Sequence, residues 1–182
     1  MRIGRRTAVI AVVLTLAGVA AAAVLLRGRE GGGTQQAAPL AIPMQTADGR
    51  ALSLADFRGR YVLLNLWATW CPPCVKEMPS LDRLQAMKGD AGFEVVALSI
   101  DRQGKDVVAP FYQRVGLTNL AIYLDQDARS MAALRITGLP TTLLIDPNGH
   151  EIARWPGARE WDHPGTIAEI DERIARSKKS GS

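Results

Sequence analysis

The sequence predicts an α/β fold, a mixed β-sheet sandwiched by helices and preceded by one N-terminal membrane-spanning helix. Three observations carry that prediction. An uncharged, mostly apolar run of twenty residues, Thr7 to Leu26, stands at the front. A nearly unbroken apolar strand, Tyr61 to Trp67, leads directly into a helical pattern opened by two prolines. From there strands and helices alternate until a hairpin and a last helix close the chain.

As a helix, Thr7 to Leu26 would span about 30 Å, the thickness of a hydrocarbon core. A cleaved signal is the competing reading, because Ala20 to Ala23 offers small residues to a peptidase. The apolar core of a signal peptide is about 7 to 15 residues long, and this run continues through Val24-Leu25-Leu26, so an uncleaved anchor is expected. Arg5-Arg6 is too generic in context to indicate twin-arginine export. No Cys follows the run to carry a lipid. Arg2, Arg5 and Arg6 before the span outweigh Arg27 and Arg29 after it, which places the bulk of the chain outside.

The expected organisation is a basic cytoplasmic segment at 1–6, an anchor at 7–26, a flexible linker at 27–40, a folded domain at 41–176 and a disordered tail at 177–182. Gly31-Gly32-Gly33 and Gln35-Gln36 mark the linker. The net charge of +4 has a local origin. Residues 1–36 hold five Arg and one Glu, leaving seventeen basic and seventeen acidic residues beyond them. The domain is neutral, and a nucleic-acid partner is not expected.

Tyr61 to Trp67 reads as a strand covered on both faces, with Asn65 its one polar residue. Pro72 to Met87 reads as a helix closed by Gly89, with Val75, Met78, Leu81 and Leu84 at helical spacing and Pro79 as a kink. Further strands are expected at Phe93 to Ile100, Ala121 to Leu124, Thr141 to Ile145 and Glu151 to Trp155. Helices are expected at Lys105 to Val115, Asp127 to Arg135 and Gly165 to Arg176. Asp146-Pro147-Asn148-Gly149 supplies the hairpin turn.

The chain has two cysteines, Cys71 and Cys74, at the junction of that strand and helix. With Cys71 as N-cap, Pro72 and Pro73 fill the first two helical positions, where a missing N–H costs little. Cys74 N–H is then the nearest donor to the Cys71 sulfur. The helix dipole stabilises a thiolate there, so Cys71 is the expected nucleophile and Cys74 the resolving residue. A zinc site would need two further ligands, and the candidates are only His150, in the hairpin turn, and His163, near the last helix. A purely structural bridge would close too short a loop to constrain the unfolded chain much. No metal and no cofactor is expected.

The run Asn65-Leu66-Trp67-Ala68-Thr69-Trp70-Cys71-Pro72-Pro73-Cys74, with Glu77 and Pro79 after it, resembles the thioredoxin superfamily, in particular its TlpA-like and ResA-like branch of tethered proteins. Gly138-Leu139-Pro140-Thr141-Thr142-Leu143-Leu144-Ile145-Asp146 resembles the second signature of that branch, and Gly157 with Trp161 its ending. The resemblance implies a cis Pro140 beside the dithiol, with the Leu139 backbone free to pair with an extended substrate. Gly138, Leu139, Pro72 and Pro73 are expected against that substrate, with Trp70 on its rim because Trp is commonly used at interfaces. Trp67, Trp155 and Trp161 read as packing residues. Ordinary thioredoxins carry an Asp where this chain has Asn65, so Glu77 becomes the available carboxylate. It is expected to tune Cys74 by like-charge repulsion; the alternative is a solvated helix Glu paired with a neighbouring Lys or Arg.

The same resemblance implies a monomeric reductase at the inner membrane, its catalytic domain facing the periplasm or cell exterior. Its electron donor would be a membrane thiol transporter. Its clients would be disulfides of apocytochrome c or of proteins that assemble the copper site of cytochrome oxidase. The alternatives are a DsbA-like oxidase and a Sco-like copper-binding assembly factor of the same fold.

Overall fold

The computed structural model describes residues 40–180. The expected anchor and nearly all of the expected linker lie outside these residues. Among the described residues, no helix is long and apolar enough to cross a membrane.

In chain order the elements are β1 (Pro43–Thr46), β2 (Ala51–Ser53), a 3₁₀ turn (Leu54–Phe57), β3 (Tyr61–Trp67), α1 (Pro72–Lys88), β4 (Phe93–Ser99), α2 (Lys105–Val115), β5 (Tyr123–Leu124), α3 (Arg129–Ala133), β6 (Thr141–Ile145), β7 (Glu151–Pro156) and α4 (Pro164–Ser180). One seven-stranded sheet runs β2-β1-β5-β4-β3-β6-β7. The β3–β4 and β4–β5 pairs are parallel, and all other pairs are antiparallel. This is the mixed α/β sandwich that the alternation of elements predicts.

β3 lies between β4 and β6, and all seven of its residues are buried. Its side chains alternate between two cores, as strand geometry requires. Leu63 and Trp67 join a core with Met78, Leu81 and Leu84 of α1, Phe111 of α2 and Ile170 of α4. Val62, Leu64 and Leu66 join the other, with Leu54, Phe57, Leu134 and Ile136. Trp67 stacks obliquely on Phe111 at 5.1 Å between ring centroids.

Four expectations change. β1, β2 and the 3₁₀ turn have no counterpart in the sequence reading, because elements of three or four residues are too short to show a period. Ser53 caps the 3₁₀ turn and Asp56 returns a bond to the Ser53 N–H, a capping box. α3 is five residues instead of nine, since Ala128 and Arg135 at its two ends adopt positive φ, 53° each. Leu40, assigned to the linker, donates to Gly149 O at 2.9 Å and packs against the second core. α4 continues to Ser180 where a tail was expected from residue 177. Its last turn carries Lys178 and Lys179, which suit the negative end of the helix dipole, and Lys178 Nζ sits 5.9 Å from the centre of the Tyr61 ring.

α1 is held at both ends and along its length. Gly89 N–H bonds back to Gln85 O, closing the helix as expected. The buried Asp82 carboxylate receives the backbone N–H groups of Thr118, Asn119 and Leu120 at 2.8–3.1 Å, pinning the helix to the loop before β5. The helix runs through Pro79, which has no N–H to give the Val75 carbonyl.

Candidate active site: a dithiol above a buried carboxylate

Cys71 is the N-cap of α1, in extended conformation, with Pro72 and Pro73 at the first two helical positions. Cys74 N–H donates to Cys71 Sγ at 3.3 Å, the donor that the two prolines leave in place. The two sulfurs are bonded at 2.08 Å, with the Cα atoms 5.3 Å apart. Cys71 retains 5% exposure and Cys74 none, so an incoming substrate reaches Cys71 first. Pro72 and Pro73 are exposed beside it. Trp70 is 64% exposed, an unusual state for so large a ring and one suited to contact with a partner.

The turn that carries Trp70 and Cys71 is fixed from an unexpected quarter. Asp101, just past the end of β4 and 1% exposed, receives Thr69 N–H at 2.9 Å, the Thr69 hydroxyl at 2.7 Å and the Ser99 hydroxyl at 2.8 Å. Cys71 N–H closes the turn onto Ala68 O at 3.2 Å. The sequence reading missed Asp101. Its position at the carboxyl end of a parallel strand, where sites of α/β sheets gather, was the available signal.

Leu139-Pro140 is a cis peptide. Pro140 O accepts from Gly157 N–H, whereas no backbone hydrogen bond of Leu139 is found among the described residues. Gly138 is exposed, Leu139 half-buried and Pro140 buried.

Glu77 is not on a solvated helix face. It is 3% exposed, and no Lys or Arg pairs with it among the described ion pairs. Oε1 accepts from Asn65 Nδ2 at 2.8 Å; Oε2 accepts from Trp161 Nε1 at 2.9 Å and from Arg159 N–H at 3.0 Å. Asn65 Nδ2 also donates to Thr142 Oγ1 at 2.9 Å, which, with the bond to Glu77, ties α1, β3 and β6 together. Burial pushes the Glu77 carboxyl above its ordinary value, and the Trp161, Arg159 and Asn65 donors pull against that rise without reversing it. Trp161 is packed, as expected, edge-on to Trp155 at 5.7 Å, but its indole N–H also serves Glu77. The Arg159 guanidinium lies over both indoles and pairs with Glu169 at 3.0 Å, holding the loop that delivers these donors. A cavity of about 270 Å³ adjoins Glu77, lined by Lys76, Ser80, Arg83, Arg159 and Glu160 among others.

Among the described residues no cluster of three or more His, Cys, Asp or Glu is placed to hold a metal. His150 lies 3.5 Å from Asp146 in the hairpin turn, and His163 accepts from Gly165 N–H at the start of α4.

A family profile described as Redoxin matches residues 34–173. The chain is 31% identical to the thiol-disulfide oxidoreductase ResA of Bacillus subtilis over 144 residues, 79% of each protein. It is 40% identical to ResA of Geobacillus thermodenitrificans over 102 residues, 56% of this chain and 58% of that protein, so the match spans less than two thirds of the latter's length. Among solved structures it is similar to StoA from Bacillus subtilis, with 25% identity and a TM-score of 0.60 over 76% of this chain and 98% of that one. It is also similar to the thioredoxin domain of a thiol-disulfide oxidoreductase from Bacteroides vulgatus, with 27% identity and a TM-score of 0.60 over 74% and 96%.

Proposed function

The chain belongs to the Redoxin family, and from that premise we propose that it is a thiol:disulfide oxidoreductase that reduces protein disulfides outside the cytoplasm. The observation that carries the reading is the Cys71–Cys74 pair at the start of α1, Cys71 slightly exposed and Cys74 fully enclosed. In the reduced protein the Cys71 thiolate, at the positive end of the helix, attacks a substrate disulfide. A mixed disulfide forms and one substrate thiolate leaves. Cys74, once ionised, attacks Cys71 Sγ, restoring the Cys71–Cys74 bond and releasing the second substrate thiolate, with two electrons passed to the substrate. The disulfide-bonded state is thus the product of one turnover, and a membrane dithiol protein is proposed to return it to the dithiol.

Trp70, Pro72, Pro73, Gly138 and Leu139 form the proposed docking rim. The unpaired Leu139 backbone can add an extended substrate segment by main-chain hydrogen bonds. Glu77 is the proposed proton-holding group for the pair. Apocytochrome c and proteins of copper-site assembly are the proposed clients, supported by the resemblance of the two signatures to the tethered branch. The anchor at 7–26 would hold the domain beside its electron donor and raise the effective concentration.

The test is reduction of insulin disulfides by the chain with dithiothreitol as donor, together with trapping by Cys74→Ser. The wild type should turn over, Cys71→Ser should be inactive, and Cys74→Ser should accumulate mixed disulfides through Cys71. A Cys71→Ser protein as active as its parent would overturn the proposal.

A further inference from the structure

Glu77 Oε2 is filled by two N–H groups, the Trp161 indole and the Arg159 backbone, neither of which can become an acceptor. Oε1 has a single donor, the Asn65 side-chain amide. A proton that joins the carboxyl therefore goes to Oε1, where it faces a donor. The amide can resolve the conflict by a half-turn that exchanges Nδ2 for Oδ1. Thr142 is compatible with either arrangement, because its hydroxyl accepts from Nδ2 in one and donates to Oδ1 in the other.

Asn65 Oδ1 shows what the second arrangement is for. The residue is fully buried, and Oδ1 has no hydrogen-bond partner. Buried polar atoms are rarely left so. The present orientation, with Nδ2 toward the carboxylate, idles one acceptor and leaves the Thr142 hydroxyl accepting where it could also donate. The turned orientation would use Oδ1 twice, from the Glu77 and Thr142 hydroxyls, and idle the two Nδ2 hydrogens instead. The two arrangements are close to balanced in hydrogen bonds.

We propose that Asn65 is a two-orientation positioning residue, its amide donating to ionised Glu77 and turning to accept from Glu77 once Oε1 is protonated. This deepens the oxidoreductase reading and depends on it only for the use to which the Glu77 proton is put. The charged groups around Glu77 are Lys76 and Arg83 on α1 and Arg159 and Glu160 on the loop before α4. Its partners on the strands, Asn65 and Thr142, carry no charge. The disulfide-bonded Cys71 and Cys74 do not titrate. Burial raises the proton affinity of Glu77 against the pull of its three donors.

The test follows the Glu77 carboxyl carbon and the Asn65 side-chain amide by NMR in the oxidised full chain, in detergent micelles, between pH 3 and 9. The Asn65 amide should shift with the same midpoint as the Glu77 carbon. Glu77→Gln should hold the Asn65 amide at its acidic position at every pH, since the Gln oxygen must serve Trp161 and Arg159 and its NH₂ must face Asn65. An ionised Asp cannot donate, so in Asn65→Asp the two facing carboxyls should share a proton and hold it at least tenfold more tightly than Glu77 does in the wild type. An Asn65 amide indifferent to a Glu77 titration overturns the proposal, as does a Glu77 carbon with no step in this range or a Glu77→Gln protein showing the alkaline Asn65 signal. Should Asn65→Asp fail to fold, the wild-type and Glu77→Gln titrations decide. Insulin reduction by the same wild-type sample separates the two readings. Turnover without an amide response refutes the role of Asn65 alone, and an amide response without turnover refutes the oxidoreductase reading alone.

Discussion

Replacing Trp161 with Phe removes one N–H from the buried Glu77 carboxyl while keeping an aromatic ring in the core. Two effects follow, and pH separates them. The smaller ring loses packing against Trp155 and the first core, a cost of about 1–3 kcal/mol that is the same at every pH. The lost hydrogen bond is worth about 1.5–3 kcal/mol to an ionised Glu77 but only about 0.5–1.5 kcal/mol to a protonated one. The difference, about 1–2 kcal/mol, appears only where Glu77 is ionised, and it pushes the Glu77 carboxyl further above its ordinary value.

The sign follows from linkage. The folded protein already holds the Glu77 proton more tightly than the unfolded chain, whose value is near 4.5. Between the two values the native state binds more protons, so stability falls as pH rises through that window. The Trp161→Phe change extends the window upward. Urea unfolding of the oxidised protein at pH 4 and at a pH above the Glu77 step should therefore show a larger loss at the higher pH by about 1–2 kcal/mol, or roughly 0.5–1 M in midpoint for a slope near 2 kcal/mol/M. An equal loss at both pH values would refute the assignment of the Trp161 N–H as a support of the Glu77 carboxylate.

Two further outcomes are expected. Asp101→Ala leaves the Thr69 N–H and the Thr69 and Ser99 hydroxyls without their acceptor and should cost about 2–4 kcal/mol in urea unfolding, with slower mixed-disulfide formation by Cys71; normal rates would show that Thr69 does not set the Cys71 geometry. Trp70→Ala removes an exposed ring and should change stability by less than about 0.5 kcal/mol while raising KM for a protein disulfide several-fold. Reduction of a small disulfide such as oxidised glutathione should change little, and an equal loss on both substrates would count against a docking role.

Much of this molecule was written locally. β3, α2 and β6 lie where hydrophobic pattern and turn residues put them, and Cys71 caps α1 through the three residues that follow it. The short strands β1 and β2 were not legible, because they owe their existence to pairing across the sheet. β1 is held at its outer side by β2 and at its inner side by β5, where Gln45 meets Leu124 from far along the chain. The two ends of α3 were not legible either, because positive φ at Ala128 and Arg135 is imposed where neither residue prefers it.

The sequence alone determined that Cys71 and Cys74 are separated by two residues at a strand–helix junction, with Cys71 as the cap of α1 and two prolines behind it, since each of these depends on residues within one helical turn. The character of Glu77 was decided only by tertiary structure. Helical spacing sets its distance from Cys74 but leaves open whether water or protein meets the carboxyl. Asn65, twelve residues before it, and Arg159 and Trp161, more than eighty after it, enclose the group. Proton affinity depends on dielectric and on donors in space, and neither is encoded in the turn of helix on which the residue sits.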